Sequence, residues 1–267
     1  MLKIAIAGAG GRMGRTLIEA VLAPDSGARL HAALEQPTSP LVGQDAGALV
    51  GKACGVAISA DVGLALAGTD VLIDFTRPAG TLAHLELCAE HGVRAVVGTT
   101  GLDADDKLRL QALAQRTAIV LAPNMSIGVN VLLDLVREAA ARLGPGYDIE
   151  VIEAHHRHKV DAPSGTAIAL GQAAAAGRGL ALDRNGVFAR HGHTGERRTD
   201  DIGFATVRGG DIVGEHTVMF AGTGERIELT HRSSSRANYA EGSLRAAHFV
   251  ARQSRGLFAM ADVLAAG

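Results

Sequence analysis

Ile4-Ala5-Ile6-Ala7-Gly8-Ala9-Gly10-Gly11-Arg12-Met13-Gly14 decides the fold. Its first four residues read as a short apolar strand and its glycines as a turn. The following Arg15-Thr16-Leu17-Ile18-Glu19-Ala20-Val21-Leu22 places apolar residues at helical spacing. Strand, glycine turn and helix in direct succession open a dinucleotide-binding βαβ unit. Gly8 permits the tight turn and Gly10 lets the backbone approach a pyrophosphate, so Gly8, Ala9, Gly10, Gly11, Arg12 and Met13 are candidate cofactor-binding residues. The match to G-x-G-x-x-G is imperfect, because the third glycine falls one place late, at Gly14 instead of Met13. A lone motif of this kind is weak, and its surroundings have to carry it.

Leu30-His31-Ala32-Ala33-Leu34 reads as a second strand ending in Glu35, roughly 20 residues past the glycine loop, where an acid accepts hydrogen bonds from an adenosine ribose. Glu35 joins the candidate set; its plainer reading is a surface acid at a strand end. Val71-Leu72-Ile73-Asp74-Phe75 is a continuous apolar strand of the kind buried in a parallel sheet, followed by Thr76-Arg77-Pro78 and a helix through Glu90. Arg94-Ala95-Val96-Val97 with Gly98-Thr99-Thr100-Gly101, a helix over 103–115, and Ala118-Ile119-Val120-Leu121 with Ala122-Pro123-Asn124-Met125 continue the alternation. Ligands of open α/β sheets lie beyond the carboxyl ends of the strands. Gly98, Thr99, Thr100, Ala122, Pro123, Asn124 and Met125 are therefore expected beside the nicotinamide half of the cofactor. Glycine and threonine are also ordinary turn residues, and it is their place at the sheet's rim that favours function. Residues 41–54 show no period and are left irregular.

A helix over 128–143 then leads to Gly144-Pro145-Gly146, and the pattern changes. Tyr147-Asp148-Ile149-Glu150-Val151-Ile152-Glu153 alternates as a strand, and a helix begins near Ala167. Between them lies Ala154-His155-His156-Arg157-His158-Lys159-Val160-Asp161-Ala162-Pro163-Ser164-Gly165-Thr166. Ser164 is a good N-cap, and the amides of Gly165 and Thr166 stand at the positive end of a helix dipole, which makes an anion pocket. His155, His156, His158 and Lys159 close by could bind carboxylates and donate a proton, so an acidic small molecule is the expected guest. The cluster also invites a metal-site reading, but no second set of ligands completes a shell, and Arg157 and Lys159 would repel a cation.

The remaining strands, 202–208, 212–220 and 225–231, are punctuated as hairpins by Gly209-Gly210-Asp211 and Gly222-Thr223-Gly224. A last helix over 237–252 follows Arg236, which sits at the join between halves. His191-Gly192-His193 is explained as a solvated loop. The expected fold is α/β: a Rossmann-type parallel-sheet domain from residues 1–126 and 236–267, with a second α+β domain, 127–235, built on a mixed, largely antiparallel sheet. Dinucleotide binding falls to the first domain, and substrate binding to the second.

With 267 residues, 47% hydrophobic and 20% charged, the chain is long enough for two cores. A net charge of -2 offers no field for nucleic acid or an anionic membrane, and no apolar run is long enough to span a bilayer. Cys54 and Cys88 make neither a disulfide framework nor a metal spacing, and nothing resembles a signal peptide, so the cytoplasm is expected. From the residues alone the chain is an oxidoreductase of an anionic small molecule. Another NAD(P)-dependent dehydrogenase would need its own nucleophile or polar triad, and a non-enzymatic dinucleotide-sensing regulator would need a DNA-binding element; neither is evident.

The chain closely resembles the bacterial 4-hydroxy-tetrahydrodipicolinate reductases, also called dihydrodipicolinate reductases. The resemblance runs through Gly8 to Gly14, Asp74-Phe75-Thr76-Arg77-Pro78, Gly98-Thr99-Thr100-Gly101, Asn124-Met125-Ser126-Ile127-Gly128-Val129-Asn130, the specific run 153–167, Gly203-Phe204-Ala205 and Val213-Gly214-Glu215-His216. It implies reduction of a cyclic imine dicarboxylate to tetrahydrodipicolinate with NADH or NADPH, in the diaminopimelate route to lysine, by a homotetramer assembled through the second domain's sheets. It further implies that His155 is the acid–base residue and Lys159 a second proton donor. His156 would contact substrate, and Ser164, Gly165 and Thr166 would hold a carboxylate. Two positions depart from the family. Gln36 stands where an arginine suited to the 2′-phosphate of NADPH is frequent, which predicts that NADH serves at least as well, with Arg12 partly compensating. Met125 stands where an aromatic is common and is expected to pack beside the nicotinamide; Tyr239 likewise replaces a phenylalanine.

Overall fold

The computed structural model describes residues 1–266. The chain separates into two compact units, one made of Met1–Ile127 with the segment from Arg236 onward, the other of Gly128–Ser235. The first unit begins β1 (Leu2–Ala7), α1 (Arg12–Val21), β2 (Ala28–Leu34), β3 (Ile58–Ser59), α2 (Val62–Leu66), β4 (Val71–Asp74), α3 (Pro78–His91), β5 (Arg94–Val97), α4 (Ala104–Leu113) and β6 (Ala118–Leu121). The second holds α5 (Ile127–Leu143, its first residue belonging to the first unit), β7 (Asp148–His155), α6 (Gly165–Gly177), α7 (Leu182–Asn185), β8 (Gly186–Val187), β9 (Ile202–Arg208), β10 (Gly214–Ala221) and β11 (Arg226–Ser233). The chain then returns to the first unit as α8 (Ala237–Val250), β12 (Gly256–Phe258) and α9 (Met260–Ala265).

The first unit is a seven-stranded sheet in the order β12-β6-β5-β4-β1-β2-β3, parallel at every pairing. Every residue of β4 is buried, as a strand covered on both faces requires. Helix α1 turns Gly14, Leu17, Ile18 and Val21 inward at helical spacing. Helix α4 starts at a capping box, Asp103 accepting from the Asp106 amide and Asp106 from the Asp103 amide. Strands β3 and β12 and helices α2 and α9 are absent from the sequence expectation, because two to six residues carry too little periodicity to be read. Within the segment 41–54 a 3-10 turn forms at Gly47–Val50, and the Asp45 carboxylate pins it by accepting the amides of Ala48, Cys54 and Gly55.

The second unit's sheet runs β11-β10-β7-β9-β8. It is mixed: β10 is antiparallel to β7 and β11, whereas β9 is parallel to β7 and β8. The expected hairpin at Gly209-Gly210-Asp211 is therefore corrected. Its two strands flank β7 without touching each other, and the connection arches over the carboxyl end of β7, where the Gly209 amide donates to the His155 carbonyl at 2.9 Å. A glycine turn fixes a reversal of direction; it does not fix which strand lies alongside. The expected hairpin at Gly222-Thr223-Gly224 does form, between β10 and β11. The core lies on one face of the sheet, where Leu132 and Val136 of α5 and Leu170 and Ala174 of α6 cover Ile149, Val151, Phe204, Val218 and Phe220. Full burial of a side chain such as Phe220 contributes about 1.5–3 kcal/mol.

Candidate active site

In the first unit the glycine loop is anchored to the neighbouring strand: the Gly8 and Ala9 amides both donate to the Leu34 carbonyl at 2.9 Å, and Gly8 adopts φ +71°. The displaced third glycine is explained by packing. A Cβ on Gly14 would overlap the Gly8 carbonyl oxygen and stand 2.8 Å from Ala9, so Gly14 provides the close helix–strand approach, and Met13 packs partly buried against the core. Gly11 caps α1 without a side chain, which leaves the first-turn amides for an anion. Glu35, at the end of β2, accepts the Gly10 amide at 2.8 Å through Oε1 and the Gln36 amide at 3.2 Å through Oε2. Arg12 and Gln36 are exposed.

At the ends of β4 and β5 lies a buried polar cluster. Asp74 is fully buried; its Oδ1 accepts from the Thr76 amide and hydroxyl and from the Thr81 hydroxyl, and its Oδ2 pairs with His84 Nδ1 at 2.7 Å. Burial alone would raise the Asp74 carboxyl, but the hydrogen bond and charge of His84 and the bonds from Thr76 hold it below the usual carboxylate range. The Thr81 hydroxyl reaches Thr99 at 2.7 Å and so ties the Gly98-Thr99-Thr100 loop to this cluster. Gly98 is needed because a Cβ there would collide with the Phe75 ring. After β6, Asn124 accepts the Ser126 amide at 2.9 Å, Ala122 is buried, and Pro123 is exposed. The Met125 side chain is 1% exposed and packs into the core of this unit. Its carbonyl lies where any side chain on Gly242 of α8 would sit.

In the second unit, alternation along β7 turns Glu153 and His155 to the same buried face. Glu153 Oε2 meets His155 Nδ1 at 2.6 Å, and Arg208 at the end of β9 grips both carboxylate oxygens at 2.8 Å. The Ser164 amide donates to Glu153 Oε1 at 3.0 Å, while the Ser164 hydroxyl caps α6 by accepting the Ala167 amide. Burial pushes the Glu153 carboxyl up, and the bonds from Arg208, His155 and Ser164 outweigh it, so the group stays ionised. Burial pushes His155 down; Glu153 opposes this, Lys159 and Arg208 reinforce it, and the imidazole ends below its ordinary value. On β10, His216 lies edge-on to His155 with centroids 5.0 Å apart and reaches the Ser164 hydroxyl at 3.1 Å. Burial and then the neighbouring His155 push His216 down to about 4. Gly214 gives the catalytic candidate its space, since a Cβ there would come within 3.1 Å of His155 Nε2. Lys159 pairs with Asp161 at 2.9 Å, and the space beside Gly165 at the start of α6 is open.

Models of the family described as dihydrodipicolinate reductase match at residues 2–125 for its N-terminus and 128–264 for its C-terminus. The chain belongs to the dihydrodipicolinate reductase family. Curated relatives include the 4-hydroxy-tetrahydrodipicolinate reductases of Burkholderia lata, 60% identical over 98% of this chain and 99% of that one, and of Nitrosomonas eutropha, 56% identical over 99% and 98%. Among solved structures, a dipicolinate-bound dihydrodipicolinate reductase from a Paenisporosarcina species aligns with TM-score 0.76 at 26% identity over 97% of each chain. An amine dehydrogenase from Mycobacterium smegmatis shares the fold, with TM-score 0.58 at 16% identity.

Within this family member the glycine loop fits a dinucleotide on its own geometry. Gly8 and Gly14 keep the turn tight, Gly11 leaves the helix start uncapped, and Glu35 lies beside the turn. His155, Lys159 and the start of α6 all lie in the second unit, with Ser164 joining Glu153 to the helix start. His156 is half-buried in the loop after β7, its ring 6.1 Å from that of the exposed His158. Sequence reading gave no role to Arg208, His216, Asp74 or His84. Two signals were present: an aspartate closing an apolar strand, and a histidine alternating inward between Gly214 and Val218.

Proposed function

We propose that this protein reduces 4-hydroxy-tetrahydrodipicolinate, by way of dihydrodipicolinate, to tetrahydrodipicolinate in the diaminopimelate route to lysine. It is an oxidoreductase that uses NADH or NADPH, and the reduced nicotinamide supplies the hydride when bound. Gly8, Ala9, Gly10, Gly11, Arg12 and Met13 bind the pyrophosphate, Glu35 and Gln36 the adenosine end, and the loops 98–100 and 122–125 the nicotinamide end. Hydride addition to a carbon conjugated with the imine builds negative charge on the ring, which Lys159 offsets and protonates. His155 is neutral at rest and works as its acid–base partner. Ser164, Gly165 and Thr166 at the start of α6, with His156, hold the substrate carboxylates. Each donor aimed at developing charge is worth about 2.7–4 kcal/mol in the transition state.

The observation that carries this reading is the anchoring of His155 by Glu153 within the same loop system that opens α6. A homotetramer through the second unit's sheet fits the face turned away from its core, where Ile152 is 38% and Val207 51% exposed. Sedimentation that finds only monomers would remove that part. The cytoplasm is the proposed compartment. Following nicotinamide absorbance with substrate generated by a coupled synthase tests the reaction. Turnover with NADH at least equal to that with NADPH is expected from Gln36; a protein fast with NADPH and dead with NADH would refute the preference, and one inert with both would refute the activity.

A further inference from the structure

We propose that Glu153, gripped by Arg208, is a positioning residue that fixes the tautomer and aim of His155, so that Nδ1 keeps its proton and Nε2 faces the reacting molecule. The proposal rests on the reading of His155 as the acid–base group. Glu153 is 1% exposed and lies on the same face of β7 as His155. An ionised carboxylate only accepts hydrogen bonds, so the 2.6 Å contact obliges Nδ1 to be the donor and leaves Nε2 as the exchanging nitrogen. Arg208 makes that obligation permanent. Its two terminal nitrogens each donate to one oxygen of Glu153 at 2.8 Å, and they also donate to the carbonyls of Val207 and Asp161, so the guanidinium is itself held. The Ser164 amide completes the clamp and couples it to the start of α6. One bidentate arginine already satisfies a buried carboxylate; the additional bond to Nδ1 is the part that bears on the imidazole.

The charged and titratable groups facing His155 come from every strand around it: Glu153 on β7 itself, Arg208 on β9, His216 on β10, and Lys159 from the following loop, with His231 on β11 behind His216. Glu153 favours the imidazolium, whereas Arg208 and Lys159 oppose it. Removing Glu153 and removing Arg208 must therefore move the His155 titration in opposite directions. Any two opposite charges beside the ring would shift it this way, so the tautomer and kcat, and not the shifts alone, mark Glu153 as positioning His155.

The test uses the full-length protein with Glu153→Gln and Arg208→Met. Nitrogen NMR of the His155 ring, recorded without substrate, reads tautomer and titration; steady-state rates read kcat, KM and the pH profile. In the parent protein the Nδ1–H tautomer is expected. Glu153→Gln should lower the His155 midpoint and cut kcat by at least about tenfold, with dinucleotide affinity unchanged. Arg208→Met should raise the midpoint, and it serves alone should the glutamine variant not fold. An Nε2–H tautomer in the parent, midpoints that move in the same direction, or a fully active Glu153→Gln overturns the proposal. Because the ring is observed without substrate, a parent protein that shows this pattern yet reduces no dihydrodipicolinate refutes the proposed function and leaves the clamp standing.

Discussion

The glycine loop of the first unit and the basic loop of the second, the two sites we propose for anions, are built from opposite materials. The first works by leaving atoms out: Gly14 has no room for a methyl group, and Gly11 caps a helix with no side chain. The second works by holding charges in place: Glu153, Arg208, His155, Ser164 and His216 form one buried network, with Lys159 and Asp161 beside it. The first site is broken by adding an atom, the second by removing one.

The largest test of that contrast is truncation in the basic loop. His155→Ala and Lys159→Ala should each lower turnover by about 10²–10⁴-fold, while dinucleotide affinity measured by fluorescence titration stays within about twofold. If affinity falls as far as turnover, the loop serves the cofactor and the division of labour fails. Next comes the buried His216. Its folded value of about 4 lies below the ordinary 6.5, so its contribution is complete above pH 6.5 and is lost as pH falls toward 4. His216→Gln should flatten the pH dependence of denaturant midpoints in that window, removing up to about 3 kcal/mol of acid sensitivity. An unchanged slope would show that the histidine does not titrate there.

Adding an atom to the glycine loop should be milder but should strike the other ligand. Gly14→Ala is expected to cost about 1–3 kcal/mol in thermal unfolding and to weaken the dinucleotide, through displacement of the Gly8 carbonyl. A variant as stable and as tight as the parent would mean the loop has slack. The smallest effect is expected at the exposed Gln36, where Gln36→Arg should shift preference toward NADPH by about tenfold, or about 1.4 kcal/mol.

Much of this architecture was legible because it is written locally. The glycine turn after β1, the continuous apolar β4 and the serine cap of α6 each depend on residues a few positions apart. The hairpin expected between β9 and β10 failed for the complementary reason: β7, from far earlier in the chain, lies between them. The one-place slip of the third glycine looked like a defect and is a packing contact, visible only once the Gly8 carbonyl has a position.

By itself the sequence determined two differently built halves, a glycine loop after the first strand and a basic loop that opens a helix, because periodicity, turns and caps are short-range physics. Only the tertiary structure decided which groups answer one another. Arg208 lies 55 residues from Glu153, and His216 lies 52 from Ser164, and neither pairing leaves a trace in local spacing. Burial sets the protonation of such groups, and burial belongs to the packed sheet and not to any stretch of chain.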